Sequence, residues 1–344
     1  MNFFDDNVDI LEYFEQTKPS VVQEGETLSI VIKDGQLDTN KIIEYEGEGI
    51  RKFEFRPLKW EQFIGQEEAK DRGKTIIKKI KKGLKSHFLV DGIKGHGKTT
   101  YVELLANDIN AHIIKRIGKQ INEDNLPDII NEINTSKSKY VMLFVDEIDT
   151  MDWKVLKMFN PIIESFKIAG KQIKPFIFAG ATINKHILIK QNPDTLDRIP
   201  TPIKFKRYNS IELLQIIEQY IKELYSDEEI KPEDLIVIAE NCKYNPRTAI
   251  ALLEEYIVEH NIQKVLANCN IMNMGLTKID IKLLKILNDS PKAIGANVLA
   301  TKCGLSQEEY IREFEPYLVE YGYVNRVPSR IITEKGKQLL EELK

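Results

Sequence analysis

An apolar stretch, Ser86–Asp91, runs directly into Gly92-Ile93-Lys94-Gly95-His96-Gly97-Lys98-Thr99, and no other feature constrains the fold as strongly. Three glycines ahead of a lysine and a hydroxyl residue satisfy the phosphate-loop pattern. The chemistry explains the spacing. Gly92, Gly95 and Gly97 let the backbone curl so that its N–H groups face phosphate oxygens, and a helix opening near Thr99 adds the positive end of its dipole. Lys98 then reaches the β- and γ-phosphates, the Thr99 hydroxyl holds Mg2+, and Thr100 belongs to the same cofactor-binding group. The pattern alone occurs by chance. Its place between a strand and a helix is what the mechanism demands, so ATP and Mg2+ are the expected ligands.

From Arg56 to about Lys206, strand-like runs alternate with helical stretches. The strands are Ser86–Gly92, Ala111–Gly118, Lys139–Glu147 and Lys174–Thr182, rich in β-branched and aromatic residues. That alternation predicts a mainly parallel α/β sheet with its active loops at the strand C-terminal ends. Ser210 to about Asn268 reads as helix only, with Leu213, Leu214, Ile217 and Ile221 on one face. Leu276–Lys344 reads as three helices and a short hairpin. Its third helix opens at Ser306, with Glu309 three residues on in a capping-box pattern. Residues 1–50 read as an appendage, with a short helix around Asp9–Glu15 and a strand, Thr27–Gly35, that turns at Asp34-Gly35. No internal repeat or low-complexity tract is present.

Further polar residues sit where a phosphate-loop enzyme needs them. The apolar strand Tyr140–Val145 ends in Asp146-Glu147, which places Asp146 beside the metal and Glu147 where it polarises the attacking water. A buried strand ending in two solvated carboxylates is the plainer alternative; the upstream phosphate loop favours the catalytic one. Thr182 and Asn184, in Gly180–Asn184, end the next strand as candidate γ-phosphate sensors. Arg198 is a candidate arginine finger for a neighbouring subunit, and Arg247, in Asn245-Pro246-Arg247, a candidate phosphate contact within the chain. Singly, each arginine reads as a surface charge; their order after the two main motifs lifts them above that.

Composition and charge narrow the partners. With 42% apolar and 30% charged residues the chain is that of an ordinary globular protein. No apolar run approaches a membrane span, and the acidic opening is unlike a secretory signal, so a cytoplasmic location is expected. Cys242, Cys269 and Cys303 lie far apart and form no zinc spacing. The net charge of −4 hides an asymmetry: residues 1–50 carry three lysines against twelve acids, a net of −9 that leaves +5 for the remaining 294 residues. A mildly basic body suits a nucleic-acid protein. The basic run Lys70–Lys85 reads more simply as a solvated helix face.

The order of these motifs resembles the RuvB family of Holliday-junction branch-migration ATPases, of AAA+ type. Arg56-Pro57 and Phe63-Ile64-Gly65-Gln66 are similar to that family's opening box, which cradles adenine, so Arg56 and Ile64 join the expected cofactor-binding residues. The phosphate loop, Asp146-Glu147, Ile163-Glu164-Ser165-Phe166, the Gly-Ala-Thr strand end, Asp197-Arg198 and Asn245-Pro246-Arg247 follow in the family's order. Glu315-Pro316-Tyr317-Leu318, Tyr321-Gly322-Tyr323-Val324 and Arg326-Val327-Pro328-Ser329-Arg330 resemble its winged helix, whose wing would contact DNA through Arg326 and Arg330.

The resemblance implies an acidic appendage (1–50), an AAA+ large ATPase domain (51–206), a helical lid (207–275) and a winged helix (276–344). It implies an ATP-dependent DNA motor acting as a homo-oligomeric ring, a hexamer, most readily in branch migration. The alternative is an ATP-switched initiator or clamp-loader-like protein that does not translocate. Two departures matter. Asp149 stands where the family has histidine, and only Lys167–Lys174 occupies the place of the long hairpin that grips RuvA, so a RuvA-type partner is not expected.

Overall fold

The computed structural model describes residues 55–343 except 169, 184, 192, 200, 201 and 327, and before them only four strand residues. Those four are Ile32–Lys33 (β1) and Gln36–Leu37 (β2), paired antiparallel on either side of positions 34–35, where the sequence places a turn. The helix expected around Asp9–Glu15 lies outside the described residues. One compact unit includes Arg56 and Glu218–Glu229; the other comprises Pro57–Ile217 and Ile230–Lys344.

The second unit starts with helix Glu67–Lys81 (α1), strand Phe88–Asp91 (β3), helix Lys98–Asp108 (α2), strand Ala111–Ile117 (β4), helix Leu126–Thr135 (α3) and strand Tyr140–Asp146 (β5). Helix Trp153–Ser165 (α4), the two-residue strands Lys167–Ile168 (β6) and Lys171–Gln172 (β7), and strand Ile177–Thr182 (β8) follow. Helices Lys185–Gln191 (α5) and Pro193–Arg198 (α6) lead to strand Ile203–Lys204 (β9). The main sheet has five strands in the order β4-β5-β8-β3-β9, all parallel. Strands covered on both faces must be apolar throughout, and all six residues of β8 are buried. Alternation sorts the side chains between two cores. Leu89, Leu143 and Phe178 meet α3 and α4 on one face; Val90, Phe144 and Ala179 meet α1 and α2 on the other. Helix α1 turns Ala69, Gly73, Ile77 and Ile80 inward as one stripe and leaves Lys74, Lys78, Lys79 and Lys81 exposed, so most of the basic run on it is a solvated face.

The parallel register brings the C-terminal ends of β3, β5 and β8 together, which is where such sheets hold ligands. The RuvA-hairpin position carries a remnant rather than a plain loop. Strands β6 and β7 pair Lys167 with Gln172 and Ile168 with Lys171, turning at Gly170 with φ +78. Two pairs reach no distance from the domain.

Helices Ser210–Leu224 (α7), Pro232–Asn241 (α8), Pro246–Glu259 (α9) and Ile262–Asn268 (α10) follow, with Leu213, Ile217 and Ile221 fully buried at four-residue spacing and Leu214 half-buried beside them. A hairpin of Ile271–Asn273 (β10) and Leu276–Thr277 (β11) straddles the expected boundary at 275. The last segment has its own core, from Leu276 to Leu340. It consists of Lys278–Asn288 (α11), Ala296–Cys303 (α12), the single turn Gln307–Glu309 (α13), a π turn at Tyr310–Phe314, Glu315–Glu320 (α14), the wing strands Val324–Asn325 (β12) and Ile331–Ile332 (β13), and Glu334–Glu342 (α15). Ser306 accepts the Glu309 N–H at 3.0 Å, as its capping position predicts. Helix α15 is additional to the three expected; it closes the core with Leu339 and Leu340. The chain thus combines a parallel-sheet, AAA+ phosphate-loop fold with a C-terminal winged helix. No helix among the described residues is long and apolar enough to cross a membrane.

Arg207 fastens the winged helix to the rest of the unit. Its guanidinium pairs with Glu320, donates to the Lys243 carbonyl at 3.0 Å, and lies over the rings of Tyr317 and Tyr321 at 5.4 and 5.5 Å. Beside it Tyr244 stacks on Tyr321 at 5.2 Å, and Lys243 donates to the fully buried Asp280 carboxylate at 2.6 Å.

Candidate active site

The loop between β3 and α2 takes the curled form its glycines permit, with Gly95 and Gly97 at φ +83 and +84. Gly95 has a second reason to be glycine. A Cβ there would stand 2.4 Å from Asn245 Oδ1 and 3.0 Å from Arg247 Cβ, because the start of α9 rests on the loop. Asn245 secures that contact by donating from Nδ2 to the Lys94 carbonyl at 2.9 Å while its Oδ1 caps α9 at the Arg247 N–H, 3.0 Å away. Lys98 is buried and folds back over the loop, donating to the carbonyls of Gly92 at 2.7 Å and Ile93 at 2.9 Å. Burial pushes its pKa down to about 8, against the opposing pull of Asp146, Asp149 and Asp91. His96 is buried against Tyr208, and burial holds its ring neutral with a pKa of about 4. Thr100 follows on α2, half-buried.

The Thr99 hydroxyl donates to Asp146 Oδ2 at 3.2 Å. A hydroxyl and a carboxylate converging from two elements suit Mg2+, which takes one or two protein oxygens and keeps the rest of its shell for phosphate and water. Asp146 Oδ1 accepts the Glu147 N–H at 2.9 Å, and Glu147 leaves the strand in the left-handed region at φ +48. Of the two expected sensors, only Thr182 is among the described residues. The buried Thr182 hydroxyl donates to Asp149 Oδ1 at 2.6 Å, so that proton is committed inside the protein. Asn184 lies outside the described residues. Asp149, standing where the family has histidine, therefore anchors the end of β8 from the turn that follows β5.

Arg247 is exposed and lines a cavity of about 940 Å3, together with Lys94, Asn245, Thr248, Arg312 and Glu313. Arg198, at the end of α6, is not in that lining. It donates to Glu164 at 2.9 Å and to the Asp194 carbonyl at 2.7 Å, half-exposed on the surface of its domain. Ile64 is half-buried between Phe63, which packs on Gly97, and Gly65. Gln66 clamps this segment to the strand side of the sheet through both its amide atoms and the Lys206 backbone, at 2.6 and 2.9 Å. Arg56 is exposed and belongs to the other compact unit.

The wing requires a correction. Arg326 is 54% exposed and stands 3.6 Å from Glu315. Arg330 is 11% exposed, and its Nε and Nη2 both donate to Glu315, the second at 3.1 Å. The Glu315 hydrogen bond raises the Arg330 pKa above its ordinary value. Arg330 is a fork that satisfies a buried carboxylate, and it is not free to meet a phosphate. Sequence reasoning also missed Arg207 and the roles of Asp149 and Asn245; an acid two residues beyond Asp146-Glu147 is the one signal that was there to be read.

Comparison with known proteins follows the same division of the chain. Residues 55–189 match the family model of the Holliday junction DNA helicase RuvB P-loop domain, and residues 273–341 match that of the RuvB C-terminal winged helix domain. Among similar proteins, the Holliday junction branch migration complex subunit RuvB of Mycoplasma genitalium is 27% identical over 305 residues, covering 83% of this chain and 97% of that one. The Campylobacter fetus subunit is 29% identical over 311 residues, covering 83% and 86%. The solved Thermotoga maritima RuvB Holliday junction branch migration motor superposes with a TM-score of 0.72 at 27% identity, covering 83% of this chain and 98% of that one. With a phosphate loop, an Asp-Glu strand end and a winged helix each matched in place, the chain belongs to the RuvB family.

Proposed function

We propose that this chain is an ATP-driven motor that migrates Holliday junctions, working as a ring in which Arg198 of each subunit completes the site of its neighbour. The observation that carries the reading is the 3.2 Å approach of the Thr99 hydroxyl to Asp146, with Glu147 next in the chain. These are the groups that hydrolysis needs, brought together from two elements. Loop N–H groups and Lys98 bind the phosphates, Lys98 exchanging its two loop carbonyls for phosphate oxygens. Thr99 and Asp146 would hold magnesium, which would supply charge neutralisation for the phosphates. Glu147 orients the attacking water and takes its proton. Arg247 approaches the γ-phosphate from its own subunit, and Arg198, exchanging Glu164 for phosphate, approaches from the next. Arg326 contacts the DNA backbone. A hexameric ring follows from the family resemblance, and the junction substrate from the names of the relatives.

The test is ATP turnover measured with four-way junction, duplex and single-stranded DNA, alongside a junction-migration assay. Turnover stimulated by junction DNA and coupled to strand exchange is expected. Junction binding and ATP turnover without strand movement would replace the motor by an assembly switch.

A further inference from the structure

The π turn of the winged helix carries two charges onto the nucleotide site. Arg312 Nη2 stands 3.6 Å from the Glu147 carboxylate, and Glu313 pairs with Lys94 of the phosphate loop at 3.1 Å. The two contacts are complementary in sign and come from adjacent residues. Both neighbours lie in the π turn, which adds a residue to the helical circuit. Arg312 is braced from the preceding turn, α13, by Glu308 at 3.0 Å. The Glu147 backbone is fixed as well, since its carbonyl accepts the Thr150 hydroxyl at 2.7 Å and the Thr150 N–H at 2.8 Å. Gly118 packs so closely that a Cβ would stand 2.4 Å from that carbonyl. With the backbone held, the Glu147 side chain is the part free to choose between Arg312 and a water.

We propose that Arg312 is a positioning residue that draws the Glu147 carboxylate away from the attacking water until the winged helix shifts. This rests on the assignment of Glu147 as the water-activating group. A carboxylate held at a guanidinium points at its partner and not at a water, so hydrolysis waits for the pair to separate. The winged helix is fastened to the segment around Lys243 and Tyr244 through Arg207, so whatever moves that segment or loads the wing also moves Arg312. DNA held by the wing would thereby govern ATP turnover in the same subunit.

The experiment compares DNA-free and junction-stimulated turnover of the full chain with Arg312→Ala, Arg312→Gln and Arg312→Lys. Partly exposed ion pairs are weak, so DNA-free kcat should rise roughly three- to fivefold in the Ala and Gln variants. KM for ATP should stay unchanged, and stimulated turnover should stay at the wild-type level. Arg312→Lys, which keeps the charge, should behave like the wild type. Adding Glu147→Gln to Arg312→Ala should abolish the gain. Unchanged or lower DNA-free turnover in both neutral variants, or an equal rise with lysine, overturns the role of Arg312. Normal turnover by Glu147→Gln alone overturns instead the assignment of Glu147, a separate failure.

Discussion

Lys98 shows how one side chain can carry both an affinity and its pH dependence. Phosphate binding needs the ammonium, and burial has lowered its pKa to about 8. At pH 7 the lysine is charged before ATP arrives. At pH 9 most sites must take up a proton on binding, so affinity falls as pH rises. With a bound-state pKa well above 9, linkage gives about a tenfold loss from pH 7 to pH 9. Calorimetric titration in buffers of different ionisation enthalpy should show uptake approaching one proton per site at pH 9. Absence of uptake would mean that the empty loop does not depress the lysine. Glu147→Gln separates binding from chemistry: nucleotide affinity should be retained while turnover drops by on the order of 100-fold or more. Lys98→Ala should instead weaken binding itself.

At the scale of elements, the wing divides into an exposed arginine, Arg326, and a buried one, Arg330, that holds the fold. Arg326→Ala should flatten the slope of log affinity against log salt by about 0.9 and leave stability unchanged. Arg330→Ala strands the buried Glu315 and should cost on the order of 3 kcal/mol of unfolding free energy in urea titrations. A large salt-slope change for Arg330→Ala without loss of stability would return that arginine to the DNA surface. The sequence could not separate the two. Both flank the same turn, and only the packing of β13 and the bridge from Ile294 to Arg330 brings Arg330 onto Glu315 at the start of α14. The loop Gly92–Thr99 was legible because its pattern is local: glycines stand where the backbone takes positive φ, between a strand and a helix. Asp146 was legible for the same reason, as the end of an apolar strand. The partner of Thr182 was not, since Asp149, which accepts its hydrogen bond, lies on another element. Helix α15 escaped because nine residues carry too few apolar positions to show a period, and the remnant hairpin β6–β7 because two pairs leave no alternation.

For the whole molecule, Arg198 and the remnant hairpin make opposite predictions about partners. Mixing Arg198→Ala chains with Lys98→Ala chains should restore turnover at interfaces that pair an intact loop with an intact arginine, since loss of an arginine finger costs on the order of 1000-fold or more. Mixed assemblies with no recovered activity would mean that each site is complete within one chain. The two-pair hairpin should support no stable complex with a RuvA-type protein in co-sedimentation, and a tight complex would show that another surface has taken over.

The cluster around Arg207 has a mechanical consequence. One guanidinium binds Glu320 of the winged helix and the Lys243 carbonyl at once, while Tyr244 and Tyr321 lie face to face with an interplanar angle of 6°. A joint of this kind has no slack: it is a crank rather than a hinge. A small angular step where nucleotide binds would then become a travel at the wing tip, amplified by the length of the arm. Removing the pin with Arg207→Ala should leave turnover at least as fast, yet shorten the DNA advance per ATP. Fuel would still burn while the crank slips.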